Sequence, residues 1–185
     1  MISMLYVLLI LLIIYLLFYF IQKNSSMIYV QSSKDKRFYL VRKVNDIKEE
    51  ENAANILASV NEKILSLIEY INNKEPQHKG FQRLKQKYNP NKLHEIPVNK
   101  KDIAFSINKG QELHLCIRKD ISGGPFTENI NDIIIVMIHE IAHIATKSFG
   151  HTKEFWDNYN LIKKLAIESN IYIESKSTQV CGKNI

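Results

Sequence analysis

Residues 139 to 151 constrain this chain more than any other part of it. His139 and His143 are four residues apart, so on a helix both imidazoles lie on one face, about 5 to 6 Å apart at Cβ. Glu140 follows the first histidine and lies about 100° round the same helix. Two histidines that bind one metal ion, with a glutamate beside them, are typical of a zinc hydrolase.

The helix predicted around this motif is apolar on almost every side. Between Ile133 and Ala145 the polar side chains are those of His139, Glu140 and His143, a pattern that indicates a buried helix. Burying two imidazoles and a carboxylate without partners is costly, and a metal ion removes that cost. A metal-free cluster whose polar groups are satisfied by hydrogen bonds is the alternative interpretation.

A catalytic zinc ion normally has three protein ligands and a fourth position open to water. His151 is the first candidate for the third ligand, because Gly150 before it can adopt a positive φ and turn the chain back toward the helix. Glu168, on the following predicted helix, is the alternative. A protein group such as Cys181 in the fourth position would instead indicate a site without turnover.

The residues from the motif onward resemble the WLM and SprT groups of zinc metallopeptidases. His139 to His143, then Gly150-His151, then Phe155-Trp156 match a pattern in which a third histidine is followed, after three residues, by Phe or Trp. Residues 106–118 and Cys181-Gly182 look like the corresponding segments of small membrane-anchored WLM-like proteins of large DNA viruses. His151 follows His143 by eight residues, two more than is usual in WLM sequences.

This resemblance implies a fold, a cofactor and a reaction. The fold is a zincin-like α+β domain over residues 27–185, with a small antiparallel or mixed sheet, a buried motif helix and flanking helices. The cofactor is Zn²⁺ on His139, His143 and His151, and the reaction is peptide hydrolysis in a protein or peptide substrate, with Glu140 as general base. An oxyanion-stabilising tyrosine is common in such enzymes, and Tyr159 and Tyr172 are both candidates.

Metzincins, which need a methionine downstream of the motif, are excluded because Met137 is the last methionine.

The first 22 residues carry no charged side chain and are long enough to cross a hydrocarbon layer of about 30 Å. We expect residues 1–22 to be an uncleaved transmembrane helix followed by a linker, residues 23–26. A cleaved signal peptide is disfavoured, because no basic residue precedes the run and no small-x-small cleavage site follows it. The basic residues from Lys23 to Lys43 predict a cytoplasmic catalytic domain. They also predict a contact with anionic lipid headgroups.

The two cysteines bear weakly on the same question. Cys116 and Cys181 could form one disulfide, yet two cysteines in a chain of this size are not a disulfide framework. Free buried thiols, which suit a reducing compartment, are the favoured interpretation.

A second basic segment runs from Lys79 to Lys92 and contains five basic residues and no acid, within a chain of net charge +6. Phe81 and Tyr88 are interleaved with the cations. A solvated helix face is the favoured interpretation, and a nucleic-acid contact is the alternative.

Hydropathy patterns predict the elements around the motif. We expect a hairpin (27–31 with 37–44), a long amphipathic helix (46–73), a second hairpin (103–107 with 112–118) and a short last strand (171–173). Residues 112–118 are predicted to be an edge strand that receives substrate as an added strand, with His114 on its surface. Asn131 or Asp132 is predicted to cap the motif helix.

The sequence therefore predicts a membrane-anchored zinc metallopeptidase. Two alternatives from other classes remain: a noncatalytic, zinc-stabilised, membrane-anchored scaffold or interaction protein, and a basic nucleic-acid-binding protein. The peptidase interpretation alone gives Glu140 a role.

Overall fold

The computed structural model describes residues 4–98, 100–175 and 179–184, with the backbone alone for residue 5 and residues 17–24. The described helices are α1 (Met4–Asn24), α2 (Ile47–Lys74), α3 (Lys79–Lys87), α4 (Ile130–Ala145) and α5 (Lys153–Glu168). The described strands are β1 (Met27–Gln31), β2 (Phe38–Arg42), β3 (Leu93–Glu95), β4 (Ala104–Ile107), β5 (Glu112–Leu115), β6 (Arg118–Asp120), β7 (Gly123–Phe126), β8 (Gln179–Val180) and β9 (Lys183–Asn184).

The predicted transmembrane segment, residues 1–22, falls on α1, and its residues 1–3 lie outside the described part of the chain. Within the described residues, no helix combines the length and the apolar character needed to cross a membrane. The membrane anchor stays a prediction. Because α1 continues to Asn24, half of the predicted linker, residues 23–26, is helical.

The predicted long helix is confirmed as α2, which packs against several other elements of the domain. Asp46 begins the helix by accepting hydrogen bonds from the backbone N–H groups of Lys48 and Glu49. Its apolar face, represented by Leu57 and Ile64, is fully buried against β2, α4 and α5. The predicted first hairpin is also confirmed, as β1 and β2 pair antiparallel.

A small mixed sheet, as predicted, lies beside the motif helix in the order β3-β5-β4. Because β5 pairs parallel with β3 and antiparallel with β4, the prediction that residues 112–118 form an edge strand is wrong. The two edge strands are therefore β3, which packs beside β2, and β4, which has no neighbouring strand on its outer side within the described structure. His114 is 6% exposed and stacks on Phe105, so its predicted surface position is wrong as well.

Buried charges join β2, β3 and β6 at one end of the sheet. Glu95 is fully buried and accepts hydrogen bonds from Arg42 N and from Arg118 Nε, both at 2.7 Å. Arg118 continues to Glu49 at the start of α2 and lies over the ring of Phe126. A buried carboxylate paired in this way avoids the cost of an isolated charge.

The C-terminal segment differs from its prediction. Residues 171–173 form no strand, because their N–H groups are bonded locally: Ile171 N and Tyr172 N donate to Ala166 O, and Ile173 N donates to Asn131 Oδ1 at 2.8 Å. The last described pairing is the β8-β9 hairpin. Cys116 and Cys181 are joined in a disulfide with Cα atoms 6.1 Å apart, so the favoured interpretation as free thiols is wrong. The two cysteines therefore give no argument for a reducing compartment.

Candidate metal centre

Helix α4 positions three of the predicted site residues, His139, Glu140 and His143. The helix begins earlier than predicted, because Asn129, rather than Asn131 or Asp132, is its cap. The apolar side chains of α4 between Met137 and Ile144 are fully buried, and their packing fixes the helix in the core. The rotational position of the two histidines and the glutamate is therefore set by packing.

The loop between α4 and α5 brings His151 to the same place. Gly150 has φ of 75°, the left-handed turn expected from its position before His151. Thr152 then caps α5 by accepting a hydrogen bond from Phe155 N. As a result His151 Nε2 lies 3.1 Å from His139 Nε2.

The geometry of the three imidazoles fits a zinc ion. One ring nitrogen from each of His139, His143 and His151 lies within 4.8 Å of the other two. The ring centroids are 4.9 to 5.0 Å apart. Tetrahedral zinc with Zn–N bonds of about 2.0 to 2.1 Å needs nitrogens roughly 3.3 Å apart. Small changes in the side-chain rotamers of the three histidines would bring their nitrogens to the separations found around a bound zinc ion.

Phe155 forms the floor of this histidine cluster. Its fully buried ring has its centroid 4.3 Å from that of His143, 4.7 Å from His151 and 5.0 Å from His139. An aromatic floor under all three rings restricts their rotation and keeps water from one side of them. This contact gives a physical reason for the Phe that follows the third histidine.

Burial keeps the imidazoles of His139 and His143 in the neutral form that binds metals. It lowers the pKa of His143 to about 4, with smaller contributions from His139, His151 and Lys109. The pKa of His139 is lowered by burial and then by His151. Glu140 is 7% exposed, and burial raises its pKa to about 7. A carboxyl group with a pKa near 7 can take up and release a proton at neutral pH.

Two grooves meet at His139 and Glu140, on opposite sides of the histidine cluster. The first, the Tyr159 groove, has a volume of about 360 Å³, and its walls include Ile135, Val136, Tyr159 and Lys183. The second, the Phe149 groove, has a volume of about 390 Å³, and its walls include Ser106, Lys109, Phe149 and His151. Ala104 of β4 lines both grooves, as do His139 and Glu140, and the two grooves together are called the cleft beside β4.

Other candidates from the sequence lie outside the cluster. Glu168 bonds Tyr70 and Lys74, each at 2.7 Å, on the exposed end of α5. Cys181 is bonded to Cys116 and has no free thiolate to bind a metal. Of the two tyrosines, Tyr159 lines the cleft with its ring centroid 6.0 Å from that of His139, whereas Tyr172 is buried away from both grooves.

The basic segment from Lys79 to Lys92 does not present its aromatic residues. Phe81 is fully buried and Tyr88 is 8% exposed, so neither ring is available for stacking on bases. A wide cavity of about 700 Å³ lies beside α3, is lined by none of the three histidines, and mixes Lys79 and Arg83 with acids of α5. The structure therefore does not support nucleic acid as a partner of this segment.

The sequence did not predict two residues of the cleft, Lys109 and Lys183. Lys109 lies on the β4-β5 turn and Lys183 on the last hairpin, both far along the chain from the motif. A turn lysine carries no signal in hydropathy or motif spacing that distinguishes it from a solvated one.

Comparisons with known proteins identify the family of the chain. The family model described as WLM domain matches residues 34–184. Uncharacterized protein R325 of Acanthamoeba polyphaga mimivirus is 29% identical over 166 residues, which are 85% of this chain and 82% of that protein. Uncharacterized protein 136R of Invertebrate iridescent virus 6 is 34% identical over 88 residues, about half of each chain (48% and 49%). The crystal structure of Wss1 from Saccharomyces cerevisiae aligns with a TM-score of 0.48 and 18% identity, covering 70% of this chain and 88% of that one. The chain belongs to the WLM family and is thus a protein of the zinc metallopeptidase type.

Proposed function

We propose that this chain is a zinc-dependent metallopeptidase that hydrolyses peptide bonds in the cleft between α4 and β4. The observation that carries the proposal is the convergence of His139, His143 and His151 beside Glu140, at the junction of two grooves. An extended peptide lying in both grooves would place one of its bonds next to the histidine cluster.

The three imidazoles would hold the zinc ion, and Glu140 would act as general base. Zinc in such a site supplies a Lewis acid that lowers the pKa of water and polarises a carbonyl. The carboxylate of Glu140 takes the proton of the attacking water and then delivers it to the leaving amine. Burial of Glu140 favours its protonated state after the first step, and the charge of a bound zinc ion would favour the carboxylate before it.

The free edge of β4 is suited to bind the substrate backbone. Cys116 N donates to Ile103 O at 2.8 Å, which makes Ile103 and Cys116 a hydrogen-bonded pair. In an antiparallel ladder hydrogen-bonded and non-hydrogen-bonded pairs alternate, so the backbone groups of Ala104 and Ser106 face away from β5, toward the cleft. A peptide added to this edge would gain main-chain hydrogen bonds independent of its sequence.

Tyr159 is the tyrosine that we assign to oxyanion stabilisation. Its half-buried ring lines the same groove as His139 and Glu140. Burial raises the pKa of its phenol, which keeps the hydroxyl protonated and able to donate.

The noncatalytic alternative is less well supported. A closed structural zinc site needs a fourth protein ligand, and within the described residues the metal-binding cluster contains three. The location of the protein in the cell stays a prediction.

The proposal is tested by zinc content and proteolysis together. The purified protein should bind one zinc ion and cleave an unfolded protein substrate. A chelator should stop cleavage, and added zinc should restore it. A protein that binds zinc but cleaves none of a diverse set of unfolded substrates would favour the noncatalytic alternative.

A further inference from the structure

Lys109 connects the β4-β5 turn to the loop that carries His151. Its Nζ donates hydrogen bonds to the carbonyl oxygens of Thr146 at 3.2 Å and of Ser148 at 2.7 Å, and also to that of Lys147. The same ammonium lies 4.2 Å from the centre of the Phe149 ring. One side chain thus contacts four consecutive residues of the loop between α4 and His151.

The turn that presents Lys109 is itself fixed against α4. Asn108, Lys109 and Gly110 have φ of 45°, 55° and 92°, three left-handed conformations in succession. A Cβ at Gly110 would lie 2.4 Å from Ile144 Cδ1, so a side chain there would clash with the residue that follows His143. The close approach that glycine permits directs Lys109 toward the end of α4.

The cation also lies close to the C-terminal end of α4, whose own last carbonyl, that of Ala145, accepts a hydrogen bond from Arg83. The last carbonyl groups of a helix lack intrahelical partners and carry a partial negative charge, which favours a cation at that end. Lys109 donates to the carbonyls directly after Ala145, where α4 ends.

Glu154 holds the opposite side of the same loop. Its carboxylate accepts hydrogen bonds from Lys147 N at 2.9 Å and from Ser148 N at 3.2 Å. The loop carbonyls are therefore bound by Lys109, on the substrate-edge hairpin, and the loop N–H groups by Glu154, on α5. His151 follows this doubly bound segment by three residues.

We propose that Lys109 is a positioning residue, whose ammonium fixes the 146–150 loop and so presents His151 to His139 and His143. The loop runs from the end of α4 at Ala145 to His151, and each flexible residue in it raises the entropy lost when His151 is ordered. Lys109 offsets that loss by ordering the loop in advance. The inference rests on the zinc site of the proposed function but does not depend on proteolysis.

The test compares Lys109→Met with Lys109→Arg and with a charge-matched control, Lys153→Met. Lys153 is 90% exposed and pairs with Asp157, so its replacement removes a cation near His151 without touching the loop. Two quantities are measured in each variant: the zinc dissociation constant by chelator competition, and amide hydrogen exchange of residues 146–151 in the zinc-free protein.

Lys109→Met should weaken zinc binding about 10-fold, as outer-shell changes at metal sites do. It should also accelerate exchange in the loop, with little change in melting temperature. Lys109→Arg, which keeps the cation and its donors, should recover most of the affinity, and Lys153→Met should match the wild type.

Unchanged loop exchange and unchanged zinc affinity in Lys109→Met would overturn the inference. So would a variant whose KM for peptide rises while its zinc affinity stays constant, because Lys109 would then contact substrate. If Lys109→Met has no folded transition, Lys109→Gln, which keeps an N–H donor at similar length, replaces it in the same comparison. A wild-type protein that binds no zinc would count against the proposed function, and the exchange measurement would still decide the role of Lys109.

Discussion

His151 Nε2 lies 3.1 Å from His139 Nε2, across a loop that is longer than the resemblance leads one to expect. This contact, rather than the spacing within the motif, completes the three-histidine cluster. Glu168, the alternative third ligand, lies at the other end of α5 and does not contact His139.

Replacing His151 by Ala should therefore remove tight zinc binding. Loss of a direct ligand should cost more than the roughly 10- to 100-fold in affinity typical of outer-shell changes. Glu168→Gln is the matched variant, and because Glu168 bonds Tyr70 and Lys74, its zinc affinity should equal that of the wild type. Zinc loss in Glu168→Gln with retention in His151→Ala would reverse the assignment of the third ligand.

Substrate binding at the free edge of β4 is tested by Ser106→Pro. Proline removes the outward-facing N–H of Ser106 and leaves the β4-β5 ladder intact. We expect KM for an unfolded substrate to rise about 10-fold, the upper range for one hydrogen bond. Ser106→Ala, which keeps the N–H, should have the KM of the wild type. Equal KM values for both variants would place the substrate elsewhere.

Tyr159→Phe should lower kcat about 100-fold, since a lost oxyanion donor typically costs 10²- to 10³-fold. Zinc affinity and KM should change little, because the aromatic ring that lines the cleft is retained. Tyr172→Phe removes a hydroxyl from a residue that is 3% exposed and lines neither groove, so its kcat should be that of the wild type. The idea fails if the two variants have the same kcat.

Stability should fall in mild acid because of His94. Burial, followed by the charge of His114, lowers the pKa of His94 to about 4 from the usual 6.5. Between these values the unfolded state binds a proton that the folded state does not, so the contribution of His94 is complete above pH 6.5 and is lost as the pH falls to 4. The loss amounts to at most about 3 kcal/mol in the free energy of unfolding.

Denaturant unfolding of the zinc-free protein at several pH values measures this contribution. Removing the metal is necessary because His143 has a similarly lowered pKa, and a bound ion would alter it. His94→Asn should have a smaller decrease in unfolding free energy between pH 6.5 and pH 4 than the wild type. A pH dependence that His94→Asn leaves unchanged would assign the effect to other groups.

The sequence predicted the motif helix and α2 well, because both have a strong apolar pattern together with a polar cap. It did not predict β3. That strand contains His94 and Glu95, and a buried carboxylate is stabilised there by Arg42 and Arg118 from elsewhere in the chain. A hydropathy pattern assigns such polar residues to the surface, so β3 was not predicted. Without β3, β5 was predicted to be an edge strand, whereas β3 pairs with it in the structure.

Long-range polar contacts account for the other differences. The bonds from Lys109 to the loop before His151 join residues 37 to 39 positions apart, and no local pattern predicts them. The Cys116-Cys181 pair spans 65 residues, and two cysteines alone could not determine whether they meet. The motif thus predicted which residues form the cluster, whereas the contacts that position His151 are visible only in the structure.

Glu140→Gln tests the central claim most directly. The amide keeps the size of the side chain and leaves His139, His143 and His151 in place, so the variant should bind zinc as tightly as the wild type. Because an amide cannot take the proton of the attacking water, peptide hydrolysis should fall by at least about 10²- to 10⁴-fold. Zinc content and cleavage of an unfolded protein substrate are measured on the same preparations. Full zinc content with activity lost is the predicted result, and full zinc content with wild-type activity would contradict the account.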